Sequence, residues 1–293
     1  MRKAVCVVFS LLLVTAATQS QEKRMYSDGD LTYAPMEARF VLSAGDFSEN
    51  LDHIEFSVDG GAMRRYEEPI RLAEEGRHFI TYRAVDITGN VSKEKVYTVV
   101  IDGSAPRLTA SAVGSAYVAE EGPVYVREDT ALILEAADEL SGVNAIYARL
   151  DDREFREYTG HVYLVEEGTH TGSAYVVDNV GNRSRTFEGT AVVDNTPPSV
   201  SVLPKRPFRT LGGERYSNIG NEIIVRADDR LSGVESVEVS INDRPFQSYP
   251  GPITVSESGF FSIRGRATDR LGNRSTVQER SEEHTSELQS LLI

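Results

Sequence analysis

The residues best suited to chemistry in this chain are aspartates that recur at fixed spacing. Asp46 and Asp86, Asp138 and Asp178, and Asp229 and Asp269 are each 40 residues apart, and the second of each pair opens the same turn. The three turns read Asp86-Ile-Thr-Gly-Asn90, Asp178-Asn-Val-Gly-Asn182 and Asp269-Arg-Leu-Gly-Asn273. Two more, Asp102 and Asp194, stand in the proline-bearing stretches Ile101-Asp-Gly-Ser-Ala-Pro106 and Val193-Asp-Asn-Thr-Pro-Pro198. Carboxylates of this kind have two uses. An aspartate at the head of a tight turn accepts backbone N–H bonds, while glycine and asparagine behind it tolerate positive φ. Several aspartates that converge offer hard oxygen ligands to Ca²⁺.

Other chemistries find less support. Cys6 is the only cysteine, and there is no His-Glu-x-x-His, phosphate loop or dinucleotide fingerprint. A nucleophilic triad would have to draw on His53, His78, His161 or His170. His78 and His170 share a repeat position whose third member is Phe261, which calls for a structural residue of aromatic size. No catalytic residue and no organic cofactor are expected, and the chain reads as non-enzymatic.

The elements that would position the aspartates are short strands in three copies of one unit. Offsets of 92 and then 91 align Tyr33, Tyr125 and Tyr216; Tyr66, Tyr158 and Tyr249; Gly76, Gly168 and Gly259; and the aspartates themselves. Within a copy the hydrophobic period is two. His78, Ile80, Tyr82 and Ala84 fall on one face, matched by His170, Gly172, Ala174 and Val176 and by Phe261, Ile263, Gly265 and Ala267. A second strand turns Phe40, Leu42 and Ala44 inward, matched by Leu132, Leu134 and Ala136 and by Ile223, Val225 and Ala227; a third uses Ile54, Phe56 and Val58, matched by Ile146, Ala148 and Leu150 and by Val237, Val239 and Ile241. Alternation with frequent Gly, Asp, Asn and Pro predicts an all-β fold of tandem immunoglobulin-like antiparallel β-sandwiches in three repeats of 91–92 residues.

The ends and the linkers set the boundaries. Met1-Arg2-Lys3, the apolar run Ala4 to Val14 and the small residues at 15–17 read as a signal peptide over residues 1–17. Repeats are expected at 25–103, shortened at its start, then 106–195, and 198–279, which is truncated. Residues 280–290 match the in-frame translation of a common sequencing-library adapter, which marks the segment 280–293. That segment is expected to be an artefact outside the fold, so the natural gene would continue beyond about residue 279. Residues 205–215 are expected to form a solvated basic loop.

The 293 residues are 40% hydrophobic and 26% charged with a net charge of −14, an ordinary globular composition. Such acidity argues against nucleic acid or anionic membrane as partners. No membrane-spanning segment is expected in the mature chain, and Arg39, Arg83, Glu135, Arg226, Arg264 and Arg266 on outward strand faces exclude a lipid-facing barrel.

Ile54-Glu-Phe-Ser-Val-Asp-Gly-Gly, Tyr82-Arg-Ala-Val-Asp-Ile-Thr-Gly-Asn-Val-Ser and Val193-Asp-Asn-Thr-Pro-Pro over residues 30–279 resemble bacterial immunoglobulin-like repeats. They are similar in particular to the family named after a 47-kDa leptospiral outer-membrane protein, described as a "β-barrel" type domain. The resemblance implies extracytoplasmic, non-catalytic modules used in tandem, sometimes on larger adhesins or enzymes.

In such a sandwich the loop after the second strand and the loop between the last two strands lie at the end where the chain enters. Asp138 and Asp178 should then meet near Asp102, and Asp229 and Asp269 near Asp194 and Asn195, as calcium candidates or as turn caps. The expected role is a secreted or cell-surface spacer, adhesion or protein-interaction module, exported to the periplasm, cell surface or medium. It would be monomeric, with a protein or glycan ligand. The alternative is a non-catalytic arm, glycan-binding in one version, of a larger secreted enzyme.

Overall fold

The computed structural model describes residues 7–11, 23–44, 50–120, 122–211 and 214–284. Asp46, Cys6, the cleavage site at 15–17 and residues 285–293 lie outside the described residues. The fold is all-β, built of tandem immunoglobulin-like β-sandwiches, with no α-helix among the described residues. By contact the chain divides into two compact units. One comprises Met1–Ala110, Leu134–Thr159 and Ser173–Glu188; the other comprises Ser111–Ile133, Gly160–Gly172 and Gly189–Ile293.

One strand order recurs three times. The first six-stranded sheet runs Tyr26–Ser27, Thr32–Pro35, Lys95–Asp102, Gly76–Asp86, Leu51–Val58, Arg64–Arg65. The second runs Ala116–Val118, Val124–Val126, Phe187–Val193, Gly168–Asp178, Val143–Leu150, Arg156–Glu157. The third runs Arg209–Leu211, Glu214–Tyr216, Gln278–His284, Gly259–Asp269, Val234–Ile241, Gln247–Ser248. The smaller sheets are Val162–Tyr163, Ala131–Ala137, Arg107–Val113 in repeat two and Ser199–Pro204, Glu222–Asp228, Ile253–Thr254 in repeat three. In repeat one Phe40–Ala44 pairs with Val7–Leu11 and bridges Ile70 through Phe40.

The long strands pair antiparallel, as the expected sandwiches require, and the structure adds one parallel pair to each large sheet. In each large sheet the opening strand runs parallel to the closing one, with Tyr33 opposite Val100, Val124 opposite Ala191 and Tyr216 opposite Glu283. Alternation shows which face a strand buries but carries no information on the direction of its partner.

Burial follows the period of two where the repeats are well packed. His78, Ile80, Tyr82 and Ala84 are buried between the exposed Arg77 and Phe79 and the half-buried Thr81 and Arg83. Ile80, Tyr82 and Ala84 join Phe40, Leu42, Ile54 and Phe56 in one apolar cluster. Ile223, Val225, Val239 and Ile263 form its counterpart in repeat three. There a Cβ on Gly265 would sit 2.9 Å from Val225 and 3.3 Å from Val200, so only glycine fits beneath those side chains. Leu132 and Leu134, expected to be inward, are only half-buried. The strands of this middle repeat are divided between the two compact units.

Cross-strand contacts repeat by position and not always by chemistry. Arg83 pairs with Glu55 at 2.8 Å, and Arg266 with Glu238 at 2.8 Å. At the same position in repeat two Tyr147 stacks on Tyr175 with ring centroids 5.2 Å apart, and Arg183 lies 3.6 Å from the Tyr175 centroid. The landmark tyrosines tie the sheets together: the amides of Leu134 and Val225 donate to the hydroxyls of Tyr158 and Tyr249.

His78 is a structural residue. Its ring bonds the Asp59 carboxylate at 2.7 Å and the Glu74 carbonyl at 2.9 Å. Burial alone would push its pKa down, but the Asp59 and Glu74 bonds outweigh it and hold the ring above its ordinary value near 6.5. A raised folded-state value stabilises the fold below pH 6.5 and loses that contribution as pH climbs through the folded value. His78→Phe, the residue found at position 261, should therefore flatten the stability of this repeat between pH 6 and pH 8. Urea midpoints at the two values check it; an unchanged pH slope in the variant would contradict it.

Two expectations need correction. The basic segment 205–215 contains paired strands, with Arg209 opposite Tyr216 and Leu211 opposite Glu214, because β-branched and apolar residues within it can ladder. The tail does not lie wholly outside the fold. Arg280 to His284 continue the last strand, with Arg280 opposite Ile263 and His284 opposite Gly259. A ladder is made by backbone groups, so this segment can fill the place between Glu214–Tyr216 and Gly259–Asp269 whatever its side chains.

Candidate metal centre

Each Asp-x-x-Gly-Asn segment folds into the same turn. Gly89, Gly181 and Gly272 have φ of 81°, 93° and 88°, the left-handed region that the fourth turn position demands. The leading aspartate takes the amides of the third and fifth residues on Oδ1 and the asparagine carboxamide on Oδ2. For Asp178 these donors are the Val180 and Asn182 amides at 3.0 and 2.7 Å and Asn182 Nδ2 at 2.7 Å; Asp269 and Asp86 repeat the pattern. The turn-capping reading of these aspartates is thus directly visible.

Two of the three turns carry more than a cap. Asp102, Asp138 and Asp178 each offer a carboxylate oxygen within 4.8 Å of the others, and Asp194, Asp229 and Asp269 do the same. Each triad lies inside a single compact unit. Asp102 and Asp178 are 0% and 1% exposed, Asp194 and Asp269 1% each, and Asp138 and Asp229 are half-buried. The linker aspartates take Ser141 N–H at 3.0 Å (Asp102) and Ser232 N–H at 2.9 Å (Asp194). Asp138 Oδ1 takes the amides of Leu140 and Gly142, and Asp229 Oδ1 those of Leu231 and Gly233. Among the described residues no Lys, Arg or His nitrogen lies within ion-pair distance of a triad carboxylate; Lys23 reaches Asn182 Oδ1 and Arg270 reaches the Ser232 carbonyl at 3.1 Å. Asn195, expected beside Asp194, instead accepts the Glu128 amide.

Repeat one supplies an internal comparison. Asp86 has the turn bonds but is only half-buried, and Asn90 and Thr88 hold its carboxyl down to about 2. Asp178 has the same bonds, yet burial and then the charge of Asp102 move its carboxyl the other way, above the ordinary carboxylate value. Asp229 is raised too, by burial and by the charges of Asp194 and Asp269. A capped turn stabilises one carboxylate. Two buried carboxylates beside a half-buried third add mutual repulsion that the cap bonds of one turn do not offset at Asp178 and Asp229.

Burial is encoded in the turn's third residue. Thr88 is exposed and bonds Asp86 through Oγ1 at 2.7 Å, whereas Val180 is 0% and Leu271 5% exposed. Val180 packs with Tyr33 and Val100 in an apolar cluster that Tyr26, Leu31 and Leu140 border. The Arg24 amide donates to the Val180 carbonyl at 3.2 Å.

Residues not anticipated as part of the site are Asn182 and Asn273, whose carboxamides also donate to the Asp102 and Asp194 carbonyls at 3.1 and 2.9 Å, and Ser141 and Ser232. A signal for the serines exists: Asp138-Glu-Leu-Ser-Gly142 and Asp229-Arg-Leu-Ser-Gly233 repeat one pattern that is absent after Asp46.

No family model matches the chain, and no curated protein matches it. Among solved structures it is similar to fibronectin(III)-like modules of Clostridium thermocellum CbhA, with 20% identity over 58% of this chain and 93% of that one and a TM-score of 0.32. It is similar to a bacterial ice-binding adhesin, with 11% identity over 97% and 99% of the two chains and a TM-score of 0.39. A third similarity is to a Bacteroides ovatus mixed-linkage glucan utilization protein, SGBP-B, with 15% identity over 95% and 70% and a TM-score of 0.20.

Proposed function

We propose that this chain is an exported, non-catalytic arm of immunoglobulin-like repeats that acts as a spacer or adhesion module, of the kind its resemblance to leptospiral surface repeats implies. The observation that carries this reading is the threefold recurrence of one strand order, with the same capped turn in every copy. Its polar constellations serve that architecture: His78 fastens a strand to the Asp59 turn, and Asn182 and Asn273 fasten linker to turn. Repetition of a module multiplies surface and reach, which suits an arm that holds or presents something. The ligand class that fits is a protein or a glycan.

The test is to fractionate cells producing the full chain and to sequence the N-terminus of the recovered protein. Export with loss of about the first 17 residues, and retention on protein- or glycan-coated surfaces without turnover of glycan or peptide substrates, is the expected result. Retention in the cytoplasm with an intact N-terminus, or substrate turnover, would overturn the proposal.

A further inference from the structure

We infer that each aspartate triad, Asp102 with Asp138 and Asp178 and Asp194 with Asp229 and Asp269, is a binding site for one Ca²⁺ ion. The inference rests on the triads together with a second feature found at both. The hydroxyls of Ser141 and Ser232 are buried, with the residues 4% and 1% exposed, and neither has a hydrogen-bond partner. A buried hydroxyl without a partner is costly and calls for a ligand. Ser141 is clasped between two carboxylates. Its own amide bonds Asp102, and the flanking amides of Leu140 and Gly142 bond Asp138. Ser232 is held in the same way between Asp194 and Asp229. In both copies, 91 residues apart, the residue that carries the orphaned hydroxyl is thus tied by its own amide to a triad carboxylate.

The donor set favours calcium. All candidate ligands are oxygens, and carboxylate oxygens within 4.8 Å of one another fit around an ion that holds its ligands at about 2.3–2.6 Å. Magnesium requires about 2.0–2.1 Å and a tight octahedron. One oxygen each of Asp138 and Asp229, Oδ2, takes no hydrogen bond among the described residues, while Oδ1 caps a turn. The fold thus spends one oxygen on structure and leaves the other to a cation. Because Asp102 and Asp194 belong to the linkers, an ion at each triad would pin the linker to the turns it contacts.

The division of labour between the two oxygens makes a clean test possible. Asp138→Asn and Asp229→Asn keep a turn-capping oxygen and remove a charge. In chelator both variants should be at least as stable as the native chain. Millimolar calcium should raise the melting midpoint of the native full chain on the order of 5–10 °C. Each single variant should lose the part of that rise belonging to its own unit, and the double variant all of it. Magnesium at equal concentration should give a smaller rise. An unchanged native midpoint, a calcium response that survives in the double variant, or an equal response to magnesium would each overturn the inference; the native-chain arm stands even if a variant folds poorly.

Discussion

Phe40→Ala should cost the first repeat about 3–5 kcal/mol, the loss typical of a buried phenylalanine truncated to alanine. Phe40 is 0% exposed. It packs among Leu42, Ile54, Phe56 and Ile80, and its ring centroid lies 6.2 Å from that of Tyr97. Its backbone exchanges two hydrogen bonds with Ile70 at 3.1 and 2.9 Å, so the strand cannot easily shift to fill the cavity. Phe79, on the outward face of strand Gly76–Asp86, is 44% exposed, and Phe79→Ala should change stability by no more than about 0.5 kcal/mol. Chemical denaturation of both variants checks the contrast. Equal losses would mean that the alternation in this repeat does not define its core.

Val180→Asp should be as damaging, at about 3–5 kcal/mol, because it places an unpaired charge where none can be hydrated. Val180 is 0% exposed against Tyr33 and Val100, two residues beyond the carboxylate of Asp178. A new aspartate there would meet apolar surface on one side and an acidic triad on the other. Thr88 holds the same turn position in repeat one and is exposed, so Thr88→Ala should lose only the hydroxyl's two exposed bonds, to Asp86 and from Asn90 Nδ2, a net effect of about 0.5–1.5 kcal/mol. Denaturation followed by a probe in unit 1 distinguishes the two. A mild Val180→Asp phenotype would show that the turn is not packed as described.

These contrasts mark what the sequence made legible. Alternation around Phe40, Ile80, Ile223 and Ile263 identified core faces because a half-buried strand leaves a period of two that no other element leaves. The aspartate triads were readable only by combining two levels, the repeat offset and the geometry of a sandwich end; neither alone brings Asp102 to Asp178. The parallel pairing of the opening strands was not readable, since it is fixed by long-range topology. Nor was the half-burial of Leu132 and Leu134, because alternation shows which face a strand turns inward and not how deeply that face is covered. Ser141 and Ser232 were overlooked because a serine in a turn is ordinary. The duplicated Asp-x-Leu-Ser-Gly pattern was the available clue. The apolar third residue of two turns, Val180 and Leu271 against Thr88, was another, because a valine or leucine in a solvated hairpin turn has no reason to be there.

The measurement that bears most directly on the account is an anomalous difference map from crystals of the full chain grown with calcium. The account predicts two peaks, one bounded by Asp102, Asp138 and Asp178 and one by Asp194, Asp229 and Asp269, each with a serine hydroxyl turned toward it, and none at Asp86. Triads that hold only water at saturating calcium, with the carboxylates protonated or splayed apart, would contradict it and leave these aspartates as turn caps.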